Sequence, residues 1–128
     1  PAMTLTATNS PHAPRVYGPY SQAVSDGKLV FTAGQLPLDP ATMEIVPGGI
    51  HEQATQVLVN LRAVLVAAGS DLDRVFKTTL YLVDLADFEP LNKVYAAAFG
   101  DHKPARSTVA VAALPRGARV EIDAVAIT

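Results

Sequence analysis

The sequence predicts an α+β fold, a β-sheet served by two helices. Apolar residues recur with a helical period in only two segments, while β-branched or alternating runs recur in several others, in the order β-β-(β)-α-β-α-β-β. Composition adds a second observation. The 128 residues are 49% hydrophobic but only 17% charged, against roughly 25% charged in an ordinary soluble domain. Such a chain can bury one real core, so residues 1–128 read as one domain. Two helices cannot cover both faces of the sheet, so the apolar surplus points to a surface that another subunit covers.

Residues 4–23 carry Pro11, Pro14, Gly18 and Pro19 and read as an irregular lead-in ending in a short strand. Lys28–Ala33 is a β-rich run after the turn signal Asp26-Gly27. Residues 34–49, with three prolines and three glycines, form a loop with room for a small strand at Glu44–Val46. The period then changes. Ile50, Ala54, Val57, Leu58, Leu61, Val64, Leu65 and Ala68 form one helical stripe over 50–68, stopped by Gly69.

Val75–Val83 is β-branched and aromatic, hence a strand. Asp84 or Asp87 can cap a second helix, and Pro90 is tolerated in its first turn. Phe88, Leu91, Tyr95, Ala98 and Phe99 make its buried stripe, and Gly100 ends it. Two strands follow, Arg106–Leu114 and Arg119–Ile127, linked by Pro115–Ala118. In the last, Val120, Ile122, Ala124 and Ala126 alternate with Arg119, Glu121 and Asp123. In the one before, Ser107–Ala113 is small and apolar on both faces, the pattern of a strand buried on both sides.

Several chemistries are disfavoured. There is no cysteine, so thiolate nucleophiles, disulfides and cysteine metal sites are excluded, and a cytoplasmic location is expected. Net charge is −2 with no basic run, so nucleic acid is not the expected partner. No stretch approaches a membrane span, and no secretory signal opens the chain. Met3 reads as the natural start, with Pro1 and Ala2 a remnant before it; a proline amine acting as a terminal base is the disfavoured alternative. His12, His51 and His102 are far apart, and Thr55 stands where a metalloprotease helix would carry its second histidine, so no metal site is expected. Ser107 is not in a nucleophile elbow, and Gly48-Gly49 reads as a turn rather than an anion site.

Two charged residues stand out. Arg106 enters an otherwise apolar strand, and its planar fork matches a carboxylate. Glu121 is a carboxylate near the start of the last strand. Read from pattern alone, both also fit ordinary solvated positions. If the two strands form a hairpin, the side chains lie ~20 Å apart within one chain, so a pocket using both must form between subunits.

GPYSQA at 18–23, TAGQLPLDP at 32–40, EQATQVLVNLRAVLVAAGS at 52–70, KTTLYLVDLADFEPLNKVYAAAF at 77–99 and PARSTVAVAALPRGARVEIDAVAI at 104–127 together resemble the Rid (reactive intermediate deaminase, YjgF-like) family, RidA branch. The resemblance implies a mixed sheet with both helices on one face, a chorismate-mutase-like fold, and a homotrimer with a central barrel-like interface and active sites between subunits. It implies hydrolysis of enamines and imines such as 2-aminoacrylate, 2-iminopropanoate and 2-iminobutanoate to 2-keto acids and ammonia. Serine and threonine dehydratases release such intermediates. By the same resemblance Arg106 clamps the substrate carboxylate and Glu121 positions or activates water. Tyr20 lines the pocket, Gly34 offers a backbone N–H, and Asn92 lies near the site. Thr108 stands where many relatives carry cysteine, and Ala33 where many carry serine. Other readings within the resemblance are a deaminase of another enamine, such as an aminomuconate, or a non-catalytic carboxylate-binding or chaperone-like module. The expected inventory is sparse because a 2-imino acid is already electrophilic; no metal or organic cofactor is required. Orientation can supply ~7–11 kcal/mol, and a water-activating carboxylate ~10²–10⁴-fold.

Overall fold

The computed structural model describes residues 4–128; the reading of Pro1, Ala2 and Met3 lies outside them. Six strands, β1 (Thr6–Thr8), β2 (Ala23–Ser25), β3 (Leu29–Thr32), β4 (Val75–Leu82), β5 (Ala105–Ala110) and β6 (Val120–Ile127), form one sheet in the order β1-β2-β3-β6-β4-β5. The helices are α1 (Ile50–Ala67) and α2 (Phe88–Phe99). All neighbours pair antiparallel except β4 and β5, which run parallel on either side of α2. The sheet is therefore mixed and the fold α+β.

Alternation decides what each strand buries. Val30, Leu80, Leu82, Val120, Ile122, Ala124 and Ala126 share one core with Val57, Leu61, Leu65, Leu91 and Tyr95 of the two helices. Burying each large aliphatic here stabilises the fold by about 1.5–3 kcal/mol. The other parity, including Phe31, Tyr81, Glu121, Asp123 and Val125, faces away from the helices. Phe31 is 55% exposed there; among the described residues no helix covers this face, and Tyr81, Glu121, Asp123 and Val125 on it are half-buried.

Most predicted elements stand within a residue or two. Gly69, at φ +86°, ends α1 as expected. Five details differ. The strand at Glu44–Val46 shrinks to a single bridge between Leu38 and Ile45. β1 forms inside the proline-rich lead-in by pairing with β2. Asp84 caps a short 3-10 turn through Ala86 N–H at 2.9 Å, while Asp87 caps nothing and instead accepts two bonds from Arg119. Ala98 is exposed rather than buried, because it lies on the outer side of α2, lining the groove against α1. Finally, β5 is an edge strand whose residues are exposed or only partly buried, not a strand covered on both faces. Small apolar residues made it look central, but among the described residues only β4 pairs with it.

The last two strands are not a hairpin either. β4 lies between them. The crossover through α2 sets β5 parallel to one edge of β4, and β6 returns along the other edge, where it also meets β3.

Candidate active site

Arg106 lies opposite Thr78 in the sheet. Thr78 is fully buried on the helix side, its hydroxyl 2.8 Å from that of Tyr95. Arg106 therefore projects toward α2. Its guanidinium lies 4.9 Å from the Tyr95 ring centre and 5.4 Å from that of Phe88. It donates to Asn92 Oδ1 at 2.8 Å. Phe88, Asn92 and Tyr95 are spaced i, i+4 and i+7, so one face of α2 holds all three. This packing fixes the plane of the fork. Among the described residues Arg106 pairs with no carboxylate, which leaves donors for an anionic ligand. Thr108, two residues along, faces the same side opposite Leu80. Its hydroxyl is buried without a hydrogen-bond partner among the described residues, an unsatisfied group of the sort a ligand can complete.

Glu121 lies opposite Tyr81, between the buried Val120 and Ile122, and so points to the other face of the sheet. Burial, and then the nearby Asp123 charge, push its carboxyl above the ordinary glutamate value. Asp123 itself accepts a bond from the Tyr81 hydroxyl at 2.9 Å. Gly34 packs directly on Glu121: a β-carbon at position 34 would collide with the carboxylate. The N–H groups of Ala33 and Gln35 are spent on Gln22 O and Ile122 O, each at 2.8 Å. That of Gly34 makes no hydrogen bond among the described residues. Tyr20, 56% exposed, lines a small cleft with Gly34, Gln22 and Gln35. The buried Gln22 amide holds the lead-in by donating to Ser10 O at 3.1 Å and Pro14 O at 2.9 Å.

Two half-sites result. One holds Arg106, Asn92 and Thr108; the other holds Tyr20, Gly34 and Glu121. Arg106 and Glu121 are offset by two strand spacings and three residues along β4, about 14 Å between α-carbons. That is less than the ~20 Å a hairpin implies. The larger barrier is the sheet itself, because the two side chains leave it from opposite faces.

Sequence reasoning missed the aromatic seat of Arg106, taking Phe88 and Tyr95 as plain core. Their i, i+4, i+7 spacing with Asn92 was the available signal. Among the described residues no group of three His, Asp or Glu is placed to hold a metal ion, and no helix is long and apolar enough to cross a membrane. A groove of about 530 Å³ between α1 and α2 contains none of the candidate residues.

The model of the family described as Endoribonuclease L-PSP matches residues 10–128. The chain belongs to the Rid (YjgF/L-PSP) family. Protein DfrA of Myxococcus xanthus is 52% identical to it over 98% of both chains. The mouse 2-iminobutanoate/2-iminopropanoate deaminase is 49% identical over 90% of this chain and 85% of its own. Among solved structures, E. coli TdcF with bound serine superposes with a TM-score of 0.92 at 40% identity, covering 96% of this chain and 98% of its own. The mixed sheet and paired helices described above are thus the Rid architecture, and deaminase names recur among the relatives of this Rid protein.

Proposed function

We propose that this Rid protein is a hydrolytic deaminase of short 2-imino acids and their enamines, with active sites formed between the subunits of a homotrimer. The observation that carries this reading is the division of complementary groups into two half-sites on opposite faces of one sheet. A carboxylate clamp without a base lies beside an exposed edge strand, and a base without a clamp lies on the face of the sheet that carries no helix. Docking the edge of one copy against the open face of the next completes both. It also covers the apolar surface around Phe31 and Val109, both left exposed by the single chain.

In the completed site Arg106 holds the substrate carboxylate in two parallel hydrogen bonds, with Asn92 keeping the fork in plane. An enamine such as 2-aminoacrylate first takes a proton at its terminal carbon, gives one up from nitrogen and becomes the imine. Water then adds to the imine carbon while Glu121 accepts one of its protons and passes it to nitrogen. Glu121 takes the remaining hydroxyl proton as the carbonyl forms and delivers it to the departing nitrogen, so that the carbon–nitrogen bond breaks and ammonia and a 2-keto acid leave. A carboxyl titrating above its usual range suits this return of the proton. In this reading the Gly34 N–H and the Tyr20 hydroxyl orient substrate or water; that both residues line one cleft supports it.

The test couples the protein to a dehydratase that releases 2-aminoacrylate and follows the acceleration of keto-acid release. Arg106→Ala should abolish that acceleration. Equal rates for the two proteins would overturn the assignment. With ten basic residues against twelve acidic ones, nothing in the charge of the chain favours RNA as its substrate.

A further inference from the structure

The Arg106 half-site continues into a cavity of about 340 Å³. That is several times the volume of a three-carbon imino acid, so such a substrate leaves most of it unfilled. Its lining includes Arg106, Asn92, Tyr95, Phe99, His102 and Lys103. Among the described residues no acidic side chain lines it. His102 does not supply a free donor on both sides of its ring, because Nε2 donates to Val75 O at 2.7 Å. Lys103 has no carboxylate partner among the described residues. The cavity therefore has two cations in its lining, the half-buried Arg106 and the exposed Lys103, together with the apolar Ala96, Phe99 and Pro104. One carboxylate satisfies only Arg106. The geometry has a place for a second anionic group.

We propose that Lys103 is a specificity-determining residue and that the site accepts 2-imino dicarboxylates, the imines of acidic amino acids. Arg106 binds the carboxylate next to the imine carbon, and Lys103 binds the one on the side chain. The reaction is the same hydrolysis: water adds at the imine carbon, the carbon–nitrogen bond breaks, and a 2-oxo dicarboxylate and ammonia leave. This inference rests on the deaminase reading above.

The test compares 2-iminosuccinate with 2-iminopropanoate. Each is generated in situ by a flavin amino-acid oxidase with catalase present, and the readout is the protein-dependent fall in semicarbazide trapping. The wild-type protein should hydrolyse both. Lys103→Met should lower kcat/KM for 2-iminosuccinate about tenfold and leave 2-iminopropanoate within about twofold. Lys103→Arg should retain most of the dicarboxylate activity. A loss of equal size on both substrates would mark a structural role and overturn the proposal. Turnover of 2-iminopropanoate alone by the wild type would overturn it while leaving the deaminase reading intact. Turnover of neither would overturn both.

Discussion

Gly34 leaves no room for a β-carbon beside the Glu121 carboxylate. The two residues belong to a loop and a central strand, 87 positions apart in the chain, and only a glycine lets them touch. The contact is with the end of a flexible side chain, so an added methyl displaces Glu121 rather than the backbone. Gly34→Ala should therefore cost less than about 1 kcal/mol of stability. A carboxylate moved by about 1 Å should lower kcat by about 10²-fold. A thermal melt paired with the imine-hydrolysis assay separates the two effects.

The Asn92–Arg106 bond makes a graded prediction. Asn92→Ala removes one bond to a charged group, worth about 1.5–3 kcal/mol, and should raise KM with a smaller change in kcat. Asn92→Asp should be worse, because its carboxylate competes with the substrate for the same fork. Steady-state kinetics on both variants give the order. An aspartate variant that binds better than the alanine one would contradict the clamp.

Glu121 couples activity to stability in opposite directions. Its carboxyl titrates above the ordinary value in the folded chain, so the native state holds a proton that the unfolded chain has lost. Stability then falls as pH rises from the ordinary glutamate pKa through the raised one. Glu121→Gln removes this penalty. It should be more stable than the wild type at neutral pH, with the difference vanishing in acid below both values. The same substitution should lower kcat by about 10²–10⁴-fold and remove the acid limb of the rate profile. Urea unfolding at two pH values and a pH–rate curve check both halves.

Arg119 and Asp87 form an ion pair at 2.6 and 3.1 Å, with the Asp87 side chain 7% exposed and that of Arg119 44% exposed. The asymmetry has a consequence. Arg119→Ala strands a buried carboxylate and should cost about 3 kcal/mol or more. Asp87→Ala frees a cation that water can reach, and should cost about 1–2 kcal/mol. The double variant should be more stable than Arg119→Ala alone. Chemical denaturation of the three proteins measures the order.

Assembly is open to direct measurement. Light scattering should give three times the 13.5 kDa chain mass. Val109→Glu, on the exposed edge strand, should split the assembly and abolish imine hydrolysis together. A monomeric wild type with full activity would refute an inter-subunit site.

The two helices and the cores of β3, β4 and β6 were legible because local period reports which side of an element is buried. Ile50 to Ala68 repeat every three or four residues, and Val120 to Ala126 every second one. Arg106 and Glu121 stood out as residue types, but the pattern alone also fitted ordinary solvated positions; it was the PARS and VEI stretches of the family resemblance that singled them out. β5 misled because small apolar residues mark a covered strand without saying what covers it. The same small residues also serve an edge strand paired on one side by β4.

Strand order had no local signal. Nothing in residues 105–127 announces that β4 enters between the last two strands, because pairing partners are chosen by the packing of α2 and by the free edge of β3. The elements, the apolar surplus and the identity of the charged candidates can all be read from the chain, because each depends on neighbours a few residues away. Only the folded chain shows that Arg106 stacks on α2, that Gly34 meets Glu121, and that Arg106 and Glu121 leave the sheet on opposite faces. Those relations join residues distant in the chain, and only the folded sheet sets their positions in space.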